Sequence, residues 1–127
     1  MLPLVSNGSK PTIVIVDNDA AVLGALKFSL EIEGYSVAPF RSAAEVLAER
    51  NLPESGCLII DLDLSGMSGL DLVTALRDRA VRLPAILLAG SAPPDVRRRA
   101  AAAAMPIVEK PLFGNALLNA IRAKLIA

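Results

Sequence analysis

The chain has 127 residues, 13 Lys+Arg against 13 Asp+Glu, 54% hydrophobic residues and 20% charged ones. That is the size of one ordinary domain, with too much apolar material for a disordered chain. Histidine is absent, which excludes Ser-His and Cys-His catalysis, imidazole metal ligands and a histidine pH switch. Cys57 is the single cysteine, so neither an internal disulfide nor a cysteine-pair zinc site can form, and a reducing, cytoplasmic setting is expected. No apolar run reaches the ~18 residues of a membrane span. The start lacks the basic and long apolar regions of a signal peptide. The neutral total is a cancellation: residues 1–63 carry nine acids against four bases, and residues 64–127 carry nine bases against four acids.

In chain order, residues 1–11 read as a flexible, polar lead-in and residues 12–127 as one domain. Thr12-Ile13-Val14-Ile15-Val16 is a β-branched run expected as a strand buried on both faces, ending at Asp17. Asp19 can cap a helix in which Val22, Leu23, Leu26 and Leu30 recur at helical spacing before Gly34 stops it. Residues 35–40 form a short strand, and Ser42-Ala43-Ala44-Glu45 is a capping box opening a helix to about Arg50. Residues 57–60 are a second doubly buried strand ending at Asp61, followed by a loop over 62–68 and a helix from Gly69 to Arg79. Residues 85–88 are the fourth strand, ending at Ala89. Pro93-Pro94 starts a helix running to about Ala104, Ile107-Val108 is the last strand, and a final helix spans residues 113 to about 126.

Five strand signals alternating with five helix signals imply an α/β fold: a (βα)₅ flavodoxin-like three-layer sandwich on a parallel sheet in order 2-1-3-4-5. Ligands in such sheets bind beyond the carboxyl ends of the strands. There the sequence places Asp17-Asn18-Asp19, Asp61 and Lys110. Carboxylates and an amide converging on one spot repel unless a cation joins them, and an all-oxygen set suits Mg²⁺. With Lys110 as a second positive charge, the set fits phosphoryl transfer, in which Asp61 attacks phosphorus.

From Thr12 to Ile126 the chain resembles the receiver domain of two-component response regulators, the family that includes the chemotaxis receiver. The matching pieces are Ile15-Val16-Asp17-Asn18-Asp19, Ile60-Asp61, the loop Leu64-Ser65-Gly66-Met67-Ser68-Gly69 and Glu109-Lys110-Pro111. The resemblance implies that Asp61 is the phosphoacceptor and Lys110 contacts the phosphate. It implies that Asp17, Asn18, Asp61 and the backbone carbonyl of Asp63 serve Mg²⁺, and that Lys110-Pro111 is a cis peptide. It also implies partners: a histidine kinase or phosphotransfer protein as donor, then a downstream protein or fused output domain, or a homodimer, contacted through the fourth helix, fifth strand and fifth helix. Enzymatic turnover, direct nucleic-acid binding and membrane association are not expected. Arg97-Arg98-Arg99 has no interleaved aromatics and reads as a solvated or partner-facing patch, on a helix whose alanine run should leave it the least firmly packed.

Three positions depart from the family pattern. Asn18 stands where a second acidic-pocket carboxylate is usual, which should weaken metal binding. Ala89 replaces the usual Ser or Thr after the fourth strand, with Ser91 two residues too late to substitute for it. Ile107 replaces the aromatic switch. These changes sustain a second reading, a degenerate, phosphorylation-independent receiver acting as an interaction or dimerisation module. A third takes Asp61-Leu62-Asp63 as the Asp-x-Asp motif of haloacid-dehalogenase-like phosphohydrolases, which carry it on the first strand with a cap and a later acidic pair, none matched here. Cys57, opening a buried strand, reads as a core residue.

Overall fold

In the computed structural model, residues 11–112 and 115–125 are described. The expected lead-in therefore lies outside the described residues except for Pro11, as do both ends expected for the last helix. The elements are β1 (Thr12–Val16), α1 (Ala20–Ile32), β2 (Ser36–Phe40), α2 (Ala43–Ala48), β3 (Gly56–Asp61), α3 (Gly69–Asp78), β4 (Ala85–Ala89), α4 (Pro94–Ala102), β5 (Ile107–Glu109) and α5 (Ala116–Leu125). The strands form one parallel sheet in the order β2-β1-β3-β4-β5.

The pleat sorts the apolar strand residues onto two faces. Val14, Val16, Leu58, Ile60 and Leu87 join the core with Val46, Leu70, Leu72 and Leu76. Ile13, Ile15, Cys57, Ile59, Ile86 and Leu88 join Leu23, Leu26, Leu30 and Ile121 on the other. Because both faces are covered, β1, β3 and β4 read as continuous apolar runs rather than alternating ones. Cys57 is fully buried, and burial pushes its thiol up to about 12, so it is a packing residue with no thiolate at neutral pH.

Local chemistry ends the elements. Asp19 Oδ1 accepts from Ala21 N at 2.9 Å and Val22 N at 3.4 Å, capping α1. Ser42 Oγ accepts from Glu45 N at 3.1 Å, while Glu45 Oε1 reaches back to Arg41 N at 2.8 Å, one residue beyond a standard capping box. α2 stops at Ala48 rather than at residue 50, because Glu49 turns extended and its carboxylate accepts from Asn51 N at 3.0 Å. α4 stops at Ala102 rather than 104. Ala104 adopts a left-handed φ of 56°, and Met105 N returns to Ala100 O at 2.8 Å to aim the chain into β5. Among its described residues α4 buries only Ala100, a small side chain, which fits its expected loose packing.

Candidate functional site

Strand order brings the predicted residues together. β1 and β3 are adjacent, so the residues at their carboxyl ends, Asp17 and Asp61, face one pocket. β4 carries β5, and Lys110 N donates to Ala89 O at 2.8 Å, anchoring the lysine one strand further along. Its side chain crosses back. Lys110 Nζ lies 3.1 Å from Asp61 Oδ2 and 3.4 Å from Asp17 Oδ2. The Lys110-Pro111 peptide is cis.

The remaining carboxylate oxygens are held by backbone. Asp17 Oδ1 accepts from Asp19 N at 2.9 Å, and Asp61 Oδ1 accepts from Asp63 N at 3.1 Å. The sequence does not single out these N–H donors; an Asp two residues before a turn N–H is the signal that could have found them. Behind Asp61 the loop over 62–68 is closed by Gly69 N donating to Leu62 O at 2.8 Å and by a backbone bridge between Asp63 and Ser68. Gly69 is there because a Cβ would stand 2.5 Å from Asp61 O and 3.0 Å from Ile60 Cγ2.

Asp17 is wholly buried and Asp61 nearly so. Burial raises the pKa of Asp17 above the ordinary 3.8; the Asp61 charge adds to this, against the Asp19 N–H and Lys110. Burial also works against charge on Lys110, but the hydrogen bond and charge of Asp61, followed by Asp17, outweigh it and lift its pKa above 10.5. Two buried carboxylates thus share one lysine, leaving the pocket a net negative charge.

That electrostatic deficit is what a hard divalent cation corrects. Mg²⁺ takes one or two carboxylates and keeps its other ligands as waters or phosphate oxygens, so the donor set fits it. Asp19, which follows Asp17 in the same turn, is the N-cap its place before the helix suggested: its carboxylate is committed to the α1 N-terminus rather than to the pocket. Among the described residues no three acidic, histidine or cysteine side chains form a ready metal cage. Asn18 and Asp63 are exposed beside the two buried acids.

The altered positions flank the same end of the sheet. Ala89 is buried at the end of β4, Ile107 is half-buried at the start of β5, and Ser91 is exposed on the following loop. Arg97 is exposed, as expected of the arginine patch, and also straps that loop: Nε donates to Ala92 O at 3.0 Å and Nη2 donates to Glu109 Oε2 at 3.2 Å. Arg99 pairs with Asp71 on α3 at 3.4 Å. A cavity of about 800 Å³ lies at the opposite end of the sheet, between the ends of α2 and α3. There Arg79 donates to Leu47 O, so its guanidinium serves a helix end rather than the acidic pocket.

An acid-lysine pocket at the carboxyl ends of a 2-1-3-4-5 sheet defines a class of signalling module, and the sequence profile of the response regulator receiver domain matches residues 13–122. The chain belongs to that family. The response regulator protein TodT of Pseudomonas putida is 38% identical over 114 residues, which are 89% of this chain and 50% of that protein. The transcriptional regulatory protein FixJ of Rhizobium meliloti is 32% identical over 111 residues, 87% of this chain and 54% of its own. The chain spans about half the length of these curated relatives. Among solved structures, the response regulator StyR superposes with a TM-score of 0.82 at 32% identity, covering 93% of this chain and 60% of that one. A receiver domain protein from Methanospirillum hungatei gives 0.83 at 29% identity, covering 93% and 95%. No helix among the described residues is long and apolar enough to cross a membrane.

Proposed function

We infer that this receiver domain is a phosphoacceptor in a two-component relay, with Asp61 as the residue modified. The observation carrying this reading is Lys110 Nζ placed within 3.4 Å of both Asp17 and Asp61 carboxylates. Asp61 Oδ2, the oxygen facing Lys110 Nζ, attacks phosphorus in line with the donor's leaving atom; the new O–P bond forms as the donor–P bond breaks. Lys110 offsets charge on the transferred group, and Asp63 N–H holds the other Asp61 oxygen in place. Asp17, Asp61, the Asp63 carbonyl and Asn18 are the groups that would hold Mg²⁺, which would supply further charge neutralisation there. The donor is a histidine kinase or phosphotransfer protein, since the chain has no histidine. The output is a protein contact on the α4-β5-α5 face, made to a separate partner, a fused output domain or a second copy in a cytoplasmic setting.

Incubation with acetyl phosphate, or with beryllofluoride, and Mg²⁺ tests this reading. Intact mass should show a single phosphoryl adduct, NMR should show the beryllofluoride complex, and Asp61→Asn should abolish both. No adduct at any Mg²⁺ concentration overturns the reading. The phosphohydrolase alternative requires continuous turnover of a phosphate monoester, whereas one stoichiometric modification is expected.

The neutral Asn18, together with Ala89 and Ile107, favours one second reading. With one carboxylate fewer, the metal-free pocket is less repulsive, and the module can hold a fixed conformation without phosphorylation. In that case partner binding is insensitive to beryllofluoride.

A further inference from the structure

The cavity of about 800 Å³ between the ends of α2 and α3 has the size of a small-molecule site, which spans ~300–1,000 Å³. Its floor is apolar. Leu47, Leu52 and Val81 line it and are half-buried against the core cluster that holds Leu76 and Leu83. Ala48, which ends α2, and Ala80, just past α3, also line it and are too small to fill the space.

The rim carries charge that the protein does not neutralise. Elsewhere Arg97, Arg99 and Arg122 each pair with a carboxylate. Arg50, Arg79 and Arg82, all at the cavity, pair with none among the described residues, although Glu49 and Glu54 line it too. Arg79 donates to Leu47 O and Arg82 to Arg77 O, which offsets the negative carbonyl ends of α2 and α3 and leaves most N–H donors of both guanidinium groups for another partner. The Arg50 side chain makes no hydrogen bond among the described residues. Of the acids, Glu49 accepts from Asn51 N at 3.0 Å, while Glu54 has no partner among the described residues. With three guanidinium groups against two carboxylates, the rim is net positive.

We propose that this cavity binds a small monocarboxylate with an aryl or medium-length alkyl body. A guanidinium is planar and weakly hydrated, and it grips a carboxylate through two parallel N–H···O bonds, so Arg50 and Arg82 take the head. The body covers Leu52 and Val81, removing apolar surface from water. Glu54 on the same rim opposes a second negative charge, which disfavours a phosphate dianion. The site lies at the end of the sheet away from Asp61, and binding there does not depend on Asp61 being the phosphoacceptor.

NMR titration of the full chain with 4-phenylbutyrate should give saturable amide shifts over residues 47–54 and 76–83, with a dissociation constant on the order of 1 mM. The uncharged 4-phenylbutan-1-ol, which keeps the body and loses the head, should bind about 10-fold more weakly. Acetate, which keeps the head and loses the body, should not saturate the same shifts. Arg50→Gln should weaken 4-phenylbutyrate several-fold at an unchanged melting temperature, since that side chain holds nothing in the fold, and Ala48→Trp should abolish binding by filling the cavity. Absence of saturable shifts in those segments up to about 50 mM overturns the proposal. So do shifts centred on Asp17, Asp61 and Lys110 instead, equal affinity for the alcohol, or an affinity unchanged in both Arg50→Gln and Arg82→Gln.

Discussion

At the residue scale the pocket is a balance of burial against charge. Asp17 sits in a place that resists charge, and its raised pKa means that the folded chain binds that proton more tightly than the unfolded chain. Its contribution to stability therefore falls as pH rises from 3.8 through the raised folded value. In metal-free buffer, Asp17→Asn should stabilise the domain by about 1 kcal/mol at pH 7, with the gain disappearing below the ordinary 3.8, as urea titrations at several pH values would read. Lys110 also loses stability with rising pH, but in a higher window and because the fold favours its charged form. Its raised pKa gives stability that is complete below 10.5 and lost above it. Asn18→Asp should tighten Mg²⁺ binding at least ~10-fold, about 1.4 kcal/mol, measured by calorimetric titration. Unchanged affinity would remove residue 18 from the metal site.

At the element scale, three helices end in the same way and at unequal cost. Past α1 the left-handed position is Gly34, but past α3 and α4 it is Ala80 and Ala104, with φ of 65° and 56°. A Cβ in that region costs roughly 1–2 kcal/mol, partly offset by the greater freedom glycine gives the unfolded chain. Ala104→Gly should accordingly raise stability by up to about 1 kcal/mol, seen as a higher urea midpoint at constant m-value. Gly69→Ala runs the opposite way. Its Cβ meets Asp61 O and Ile60 Cγ2, so a loss of about 1–3 kcal/mol is expected, accompanied by slower adduct formation because the Asp61 backbone must shift.

At the scale of the whole molecule, the question is how far a change at Asp61 travels. The loop after β4 is tied to β5 by Arg97 and Glu109, while Ala89 offers no hydroxyl toward the pocket and Ile107 no aromatic ring. Beryllofluoride-induced NMR shifts should therefore be confined to the pocket and the loop over 62–68. The double variant Ala89→Thr, Ile107→Tyr should extend them across β5 and α4. Shifts across α4 in the native chain would show that the Arg97 strap transmits the change by itself.

The alternation of apolar runs with amphipathic or capped segments determined the element order, because strands buried on both faces and helices with caps each have a period or a punctuation that local sequence states outright. The motifs around Asp17, Asp61 and Lys110 were equally legible, since receiver chemistry demands those residue types at those strand ends. What only the tertiary structure decided is how their charges are disposed. The Asp19 cap was legible as a local contact, and its oxygen lies 2.9 Å from Ala21 N, but the pairing of Lys110 Nζ with both Asp17 and Asp61 was not. Burial of Asp17, the reach of Lys110 across two strands, Arg97 as a strap and the cavity between α2 and α3 all depend on contacts between residues far apart in the chain, which a sequence encodes but does not display.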